Sequence, residues 1–314
     1  MMEAATAFIL EMLVLYGMAL LGFITKKIGV FTKSADDVIT RLILNVTLPA
    51  LILYSLNIDF SFELLKSFMW LFIMSLYMIF TACFVAFWMK RRANLPKERK
   101  TVYEGLTIFG NQGYIGIAIS YILLGQQGII YATVFNVFYI MLIWTYGIYI
   151  FSRSKDTVDW TPIFLNAGIL SSLIGLVIFL LPLKLPPFIA QGLESVGKMT
   201  IPLSMMIIGM LIANIKWNEF MSIIKNIYLW KSAIVRLIII PLLMLPFMLF
   251  PVQYSVILIA VIVSGMPSAS TIALYAQRFG DDSTFAAVGS FLTTVLCIVT
   301  VPILYGIVHF LYFY

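Results

Sequence analysis

Charged residues are scarce in this sequence: Asp, Glu, Lys and Arg together make up 11% of its 314 residues, whereas hydrophobic residues make up 62%. A water-soluble domain could not bury that much apolar surface, and a mean hydropathy of +1.04 is typical of a chain whose solvent is mostly lipid. The low charge therefore excludes an ordinary soluble domain and predicts one polytopic membrane domain.

Histidine and cysteine are also rare. His309 is the only histidine and lies near the end of the last apolar stretch, and no aspartate lies deep within any apolar stretch. An intramembrane enzyme needs a nucleophile with a general base, or paired aspartates, at membrane depth, so this class is disfavoured. Cys83 and Cys297 lie in apolar stretches and are interpreted as small buried hydrophobic residues.

Ten apolar stretches of about 20 residues, the length that crosses a bilayer, follow one another with short connections. The pattern predicts an all-α membrane protein with ten transmembrane helices, a retained first helix and no soluble second domain. The predicted spans are 4–25, 37–57, 65–89, 102–124, 129–151, 162–181, 188–212, 228–249, 253–277 and 284–311.

Positive charges give a test of this count. With the N-terminus outside, every Lys and Arg falls on the inner side except Lys66 and Lys184 in outer loops and Lys198 within the seventh span. Arg236, near the start of the eighth span, is counted among the inner charges. Because cytoplasmic loops collect positive charge, the pattern predicts that both termini lie outside. The net charge of +6 then reports topology, and no nucleic-acid partner is expected.

Three pairs of markers recur at nearly one spacing along the chain. Pro49 pairs with Pro202, Asn111 with Pro267, and Gly125 with Gly280, at offsets of 153, 156 and 155 residues. Such a repeat predicts two homologous halves, residues 1–156 and 157–314. Because each half holds five spans, an odd number, the second half enters the membrane from the opposite side and the repeats are inverted.

Two polar interruptions fall near the middle of the fourth and ninth spans: Gly110–Gly116 (the first break) and Ser264–Ser270 (the second break). Lipid offers backbone amides no hydrogen-bond partners, so a helix broken at membrane depth must line a cavity or be buried in protein. Two breaks in corresponding halves predict the substrate site of a transporter, where half-helix N-termini favour an anion. The alternatives are a glycine stripe for helix packing and a simple proline kink.

Three charged residues within the spans leave more than one role open. Lys198, near mid-depth, either pairs with a substrate carboxylate or forms an i, i+4 ion pair with Glu194. Glu11 and Glu104 could carry a coupling proton, but both are interpreted as solvated residues at the membrane interfaces.

The two breaks resemble those of the auxin efflux carrier family, whose members include plant auxin exporters and bacterial permeases for small carboxylates such as malonate and malate. The similarity covers nearly the whole chain. It is strongest in Asn111–Gly116, Met266-Pro267, Arg278–Gly280 and the Leu48-Pro49 pair that follows Asn45. Ala118 departs from the family pattern, since many members carry proline there, which indicates a shorter or softer first break.

This resemblance implies a ten-span fold with broken, crossing helices 4 and 9. Spans 1, 2, 6 and 7 would form a scaffold, expected to make a homodimer, and spans 3–5 and 8–10 would form a mobile unit that carries both breaks. Substrate would lie between the two parts and be exposed to each side in turn by an elevator-like movement.

The breaks and this resemblance together predict a secondary transporter or potential-driven carrier in a bacterial cytoplasmic membrane. Its expected substrate is a small organic anion, and the resemblance implies a mono- or dicarboxylate such as malonate or malate, or an auxin-like acid. No cofactor is expected, H⁺ or Na⁺ is the candidate coupling ion, and membrane lipid is the other partner. A binding-only sensor or a channel on the same fold is the alternative, and an intramembrane enzyme is less favoured. The expected substrate-binding residues are Asn45, Asn111, Gln112, Gly113, Tyr114, Gly116, Lys198, Thr200, Met266, Pro267, Ser268 and Ser270.

Overall fold

The computed structural model describes residues 2–32, 35–57, 61–152, 167–181, 184–214, 216–269 and 271–313. Within these ranges the chain is helical, and its one extended pairing is an isolated bridge between Gly110 and Ser268. Apolar runs of this length favour helix because a backbone in lipid must satisfy its hydrogen bonds within a single segment.

Each predicted span contains helix in its described part, with interruptions at the two breaks. In chain order they are α1 (Met2–Lys27), α2 (Ala35–Leu56), α3 (Phe62–Arg92), α4 (Lys97–Ile108), α5 (Ile117–Ser152), α6 (Ala167–Leu180), α7 (Pro187–Lys198), α8 (Thr200–Ala213), α9 (Trp217–Ile224), α10 (Ile227–Leu249), α11 (Tyr254–Ser264), α12 (Thr271–Phe279) and α13 (Ser283–Phe313).

Within the described ranges, five helices are long and apolar enough to cross a membrane: α2, α3, α5, α10 and α13. The two predicted spans that contain the breaks fall below that length because each break divides its span into shorter helices. For example, α4 has 12 residues, α11 has 11 and α12 has 9.

Several helices depart locally from α geometry. Wide π-helical turns interrupt α2 at Ile43–Thr47, α5 at Ile143–Gly147 and α10 at Val235–Ile239. Near the start of α5, Gly125 has φ of 59° and ψ of −139°, a conformation that glycine adopts without steric cost. π-helical turns occur often at functional sites, and the turn in α10 holds a residue of the site described below.

The helices pack in two groups. The scaffold group comprises α1, α2 and α6–α8: α1 packs along α8, and α2 packs against α6 and α7. Glycine brings α1 and α8 together, since a Cβ at Gly209 would lie 1.7 Å from the carbonyl oxygen of Ala19. The second group comprises α3–α5 and α9–α13. At its centre lies α11, whose residues from Val256 to Ser264 are all buried.

The two groups meet along α8 and α5. The π-helical turn Gln112–Gly116, which leads into α5, contacts α8, and α5 itself contacts α2 and α6. The first break therefore lies at the junction between the scaffold group and the second group.

Candidate functional site

The first break separates α4 from α5. α4 ends at Ile108, the backbone of Phe109 is extended (φ −95°, ψ 110°), and the chain returns to helix through the π turn Gln112–Gly116. The segment is buried: Asn111 is 4% exposed and Gln112 is 0% exposed. The backbone groups freed by the break must therefore find partners inside the protein.

The second break separates α11 from α12. α11 ends at Ser264 and α12 begins at Thr271. Between them Pro267 has no N–H with which to continue the helix, and Met266 and Ser268 are buried. The predicted interruption is thus confirmed at both positions.

The two breaks cross and pair with each other. The Asn111 N–H donates to the carbonyl of Pro267 at 2.5 Å, and the Ala269 N–H donates to the carbonyl of Phe109 at 2.9 Å. These bonds flank the antiparallel bridge that contains Gly110. Each break therefore satisfies backbone groups of the other, which is what permits non-helical backbone at this depth. We call the paired segments 109–111 and 267–269 the crossing.

Polar side chains of α5 complete the hydrogen bonding on the side of the first break. Asn136 Nδ2 donates to the carbonyl of Gln112 at 3.1 Å, and Tyr139 Oη donates to the carbonyl of Gly110. Sequence reasoning missed both residues. A signal was available for Asn136, because an amide side chain in the middle of an apolar span is normally retained for a partner.

On the side of the second break, Ser268 makes two hydrogen bonds. Its N–H donates to Oγ1 of Thr293 in α13 at 3.0 Å, and its own Oγ donates to the carbonyl of Leu106 in α4 at 2.7 Å. Ser290 Oγ of α13 donates to the carbonyl of Ala269 at 3.2 Å. Ser268 thus ties α4, the second break and α13 together.

Arg236 has surroundings that sequence analysis did not predict. It was counted as an inner, topology-reporting charge, yet it lies in the π turn of α10 and is 0% exposed. Its Nε donates to the carbonyl of Met266 and its Nη1 donates to the carbonyl of Ile108, both at 2.9 Å. Its burial was not predicted, because hydropathy averages over a span and does not report which side chain turns toward the protein interior.

The predicted residues of the first break lie together, but not all of them pack tightly. A Cβ at Gly116 would contact Met266 Cγ at 3.2 Å, whereas a Cβ at Gly113 would meet no atom within 4 Å. Gln112 packs near Met78, and its Oε1 has no hydrogen-bond partner among the described residues. The side chain of Tyr114, like that of Glu11, lies outside the part that the structure describes, as does all of Ser270.

The predicted residues of the scaffold group have other partners. Asn45 is exposed, and its Nδ2 donates to the carbonyl of Arg41, one turn earlier in α2, at 2.9 Å. Lys198 pairs with Glu194 at 2.6 Å, with the lysine side chain 62% exposed. Of the two roles left open for Lys198, this geometry is the i, i+4 ion pair. Thr200 is 0% exposed and begins α8, the helix that contacts the first break.

Glu104 is not a solvated interfacial residue, and that expectation was wrong. It is 2% exposed in α4, forms an ion pair with Lys90 at the end of α3, and accepts a hydrogen bond from Tyr146 Oη at 2.8 Å. The ion pair and the hydrogen bond from Tyr146 together join α3, α4 and α5. Within the described residues, no group of three or more His, Cys, Asp or Glu side chains could hold a metal ion.

A cavity of about 620 Å³ lies elsewhere, between α3 and α10. It is mostly apolar and none of the crossing residues lines it. Its walls are formed by Phe84, Val85, Trp88, Met89, Arg92, Tyr103, Tyr228, Lys231, Ile234, Val235 and Ile239.

The ends of the broken helices give the crossing its electrostatic character. α4 and α11 end there, with the negative ends of their dipoles, whereas α12 begins there and α5 begins after the π turn Gln112–Gly116, both with positive ends. A helix N-terminus favours an anion. The site therefore combines two such N-termini with the guanidinium of Arg236 and the buried amide of Gln112.

Comparison with protein families identifies the class of this protein. The model of a family described as membrane transport protein matches residues 7–167 and 156–305. These ranges cover nearly the whole chain, and the chain belongs to this family, which is the auxin efflux carrier family whose motifs the breaks resemble.

A similar protein is an uncharacterized transporter from Methanocaldococcus jannaschii. It is 25% identical to this chain over an alignment of 224 residues, and the alignment covers 67% of this chain and 71% of the relative. Membership of a transporter family makes this chain a membrane transport protein and disfavours an enzyme.

Proposed function

We propose that this chain is a secondary transporter or potential-driven carrier of a small organic anion, a mono- or dicarboxylate such as malonate or malate, or an auxin-like acid. The observation that carries the proposal is the crossing, where two broken helices pair through backbone hydrogen bonds between Asn111 and Pro267 and between Phe109 and Ala269. Two helix N-termini converge there beside a buried guanidinium, an arrangement suited to a carboxylate.

The geometry of the crossing also supports two inverted five-span repeats, residues 1–156 and 157–314, with ten spans in all. The bridge between Gly110 and Ser268 is antiparallel, as a two-fold axis between oppositely oriented breaks would require. Gly125 and Gly280, the marker glycines that follow the two breaks, both have positive φ, 59° and 82°.

Transport would proceed by an elevator-type movement of the second group against the scaffold group. The substrate would bind at the junction, between α8 and the first break, with Gln112, Tyr114 and Ser268 orienting it. Packing supports this division, because α11 is buried entirely within the second group, whereas the first break contacts α8 across the junction. H⁺ or Na⁺ is the candidate coupling ion.

We further propose that the protein resides in a bacterial cytoplasmic membrane with both termini outside, and that it forms a homodimer through the scaffold helices. The basic residues at the end of α3, Lys90, Arg91 and Arg92, support an inner location for that end. The family resemblance supports the dimer.

Uptake into proteoliposomes with a panel of labelled carboxylates tests the function. The wild-type protein should accumulate at least one of them, and the double variant Asn111→Ala, Pro267→Ala should lose most of that uptake. Ser195→Ala is a matched control, because Ser195 is exposed and bonds only within its own helix to Gln191.

Each outcome of that assay has a separate meaning. Unchanged uptake by the double variant would show that the breaks are not the substrate site. Tight binding of a carboxylate without flux would favour a sensor, and single-channel currents would favour a channel. No binding or flux with any carboxylate would refute the proposed substrate class.

A further inference from the structure

Arg236 is a buried charge with no carboxylate partner among the residues that the structure describes. None of the ion pairs found among the described residues includes it, and both of its hydrogen bonds go to backbone carbonyls, those of Ile108 and Met266. An arginine within a membrane-spanning segment is costly, so it is normally retained for a function. The contacts of Arg236 indicate what that function is.

Both carbonyls stand at ends of broken helices. Ile108 is the last residue of α4, and Met266 lies two residues beyond the end of α11. The last carbonyls of a helix have no partners within it and form the negative end of its dipole. One guanidinium therefore binds the last carbonyl of α4 and a carbonyl just beyond the end of α11, which come from opposite halves of the chain.

Arginine suits this task because its planar group directs several N–H donors at fixed angles, whereas the ammonium of lysine is a single point charge. The backbone of the first break is shaped to receive it. A Cβ at Gly110 would lie 1.8 Å from Arg236 Nη2, so only glycine leaves room for the guanidinium there. Nη2 is buried and makes no hydrogen bond, so the positive charge of this group is not neutralised by a counter-ion of the described residues.

Simple charge counting shows the consequence. Each helix end carries about half a unit charge, so the C-terminal ends of α4 and α11 together contribute about one negative charge, which the guanidinium cancels. The N-terminal ends of α5 and α12 then remain, with about one positive charge between them. That charge matches a single carboxylate.

We infer that Arg236 is the positioning residue of the substrate site: it fixes the two breaks against each other and, by cancelling the negative helix ends, makes the crossing selective for an anion. This inference rests on the proposed function for its second half only. The first half states that Arg236 holds the two breaks against each other, and we call this contact the clamp. It concerns the folded protein alone and can be tested without any substrate.

The clamp is tested by hydrogen exchange of the purified full-length protein, followed by mass spectrometry of peptides that cover residues 104–116 and 262–272. In Arg236→Gln, the amides of Asn111 and Ala269 should exchange roughly tenfold faster than in the wild type, because the crossing opens more often. Lys231→Gln is the matched control, since it removes an exposed cation five residues earlier in the same helix. Wild-type exchange in Arg236→Gln would overturn the clamp.

The electrostatic half is tested by calorimetric titration with malonate. Arg236→Gln should weaken binding by roughly 10–100-fold, the effect of losing an interaction with a charged group. Arg236→Lys keeps the positive charge but loses the planar group with its several N–H donors. This variant should therefore recover most of the affinity, while the amides of its crossing still exchange faster than those of the wild type. A purely structural arginine would give equal losses of affinity in both variants, and that result would overturn the selective role.

The two proposals fail separately in these experiments. If the wild-type protein bound no carboxylate while Arg236→Gln exchanged faster, the proposed substrate class would be wrong and the clamp would stand. If Arg236→Gln did not fold, Arg236→Lys would supply the exchange measurement, and wild-type exchange in that variant would overturn the clamp.

Discussion

Single atoms decide how closely the two breaks approach each other. Gly110 contributes no side chain, and the space that a Cβ would fill is occupied by the guanidinium of Arg236. The sequence predicts Gly110 as the first residue of a break, where glycine can adopt backbone angles that are closed to other residues. Its other property, the absence of a side chain, matters here because a specific partner fills the space.

Gly110→Ala should therefore destabilise the protein by about 1–3 kcal/mol, the usual cost of overpacking, and should reduce uptake. The new methyl group would displace Arg236 from Ile108 and Met266. The apparent melting temperature in detergent gives the stability. Gly113→Ala is the control within the same break, because its Cβ would meet no atom within 4 Å. Equal melting temperatures for the two variants would contradict the packing described here.

Asp281 provides a prediction about pH. It lies in the turn between α12 and α13, outside the spans, where burial, with a smaller contribution from Glu98, raises its pKa to about 6. In the unfolded chain an aspartate titrates near pH 4. Between about pH 4 and 6 the folded state therefore binds a proton that the unfolded state does not, so this group favours folding less as the pH rises through that window.

Asp281→Asn removes this dependence and should melt at a higher temperature than the wild type above about pH 6. The difference should shrink toward zero as the pH falls to about 4. Melting curves of both proteins across this range give the difference directly. A difference that stays constant with pH would show that Asp281 does not titrate as described.

At the scale of helices, the breaks were predictable because their causes are local. Proline at 267 removes a donor, and the glycines of the first break weaken helix wherever they occur. The partners of the breaks were not predictable from these causes. The hydrogen bond between Asn111 and Pro267 joins residues 156 positions apart, and the choice of neighbour depends on how all the helices pack.

Packing between helices also gives glycine a role in the scaffold group. A Cβ at Gly209 of α8 would lie 1.7 Å from the Ala19 carbonyl oxygen, and one at Gly22 of α1 would lie 2.0 Å from that of Met206. Close approach through small residues is the usual way that helices associate in a membrane.

Gly209→Ala and Gly22→Ala should each lower the apparent melting temperature, by an amount equivalent to about 1–3 kcal/mol. Gly17→Ala, also in α1, is the matched control, because a Cβ there would meet no atom within 4 Å. That variant should be neutral or slightly stabilising, since alanine favours helix by up to about 1 kcal/mol over glycine. Equal destabilisation by all three would indicate that helix propensity and not packing sets the effect.

At the scale of the whole molecule, charge placement predicts orientation. Inner loops collect positive charge, so the segment after α3 should face the cytoplasm and the loop before α7 should face outside. With the native cysteines at 83 and 297 replaced by alanine, Asn94→Cys should react with a membrane-impermeant maleimide only in inside-out vesicles. Lys184→Cys should react only in right-side-out vesicles. The reverse pattern would place both termini inside.

The sequence alone determined that this chain lies in a membrane, where its helices fall and where two of them break, because hydropathic length, glycine and proline act over a few residues. Only the tertiary structure decided the partners: Arg236 with the ends of α4 and α11, Glu104 with Lys90, and Lys198 with Glu194. In the sequence, each of these residues is simply a charged residue within or next to an apolar stretch. Whether it reports topology, joins helices or clamps a site depends on the neighbours that folding brings to it.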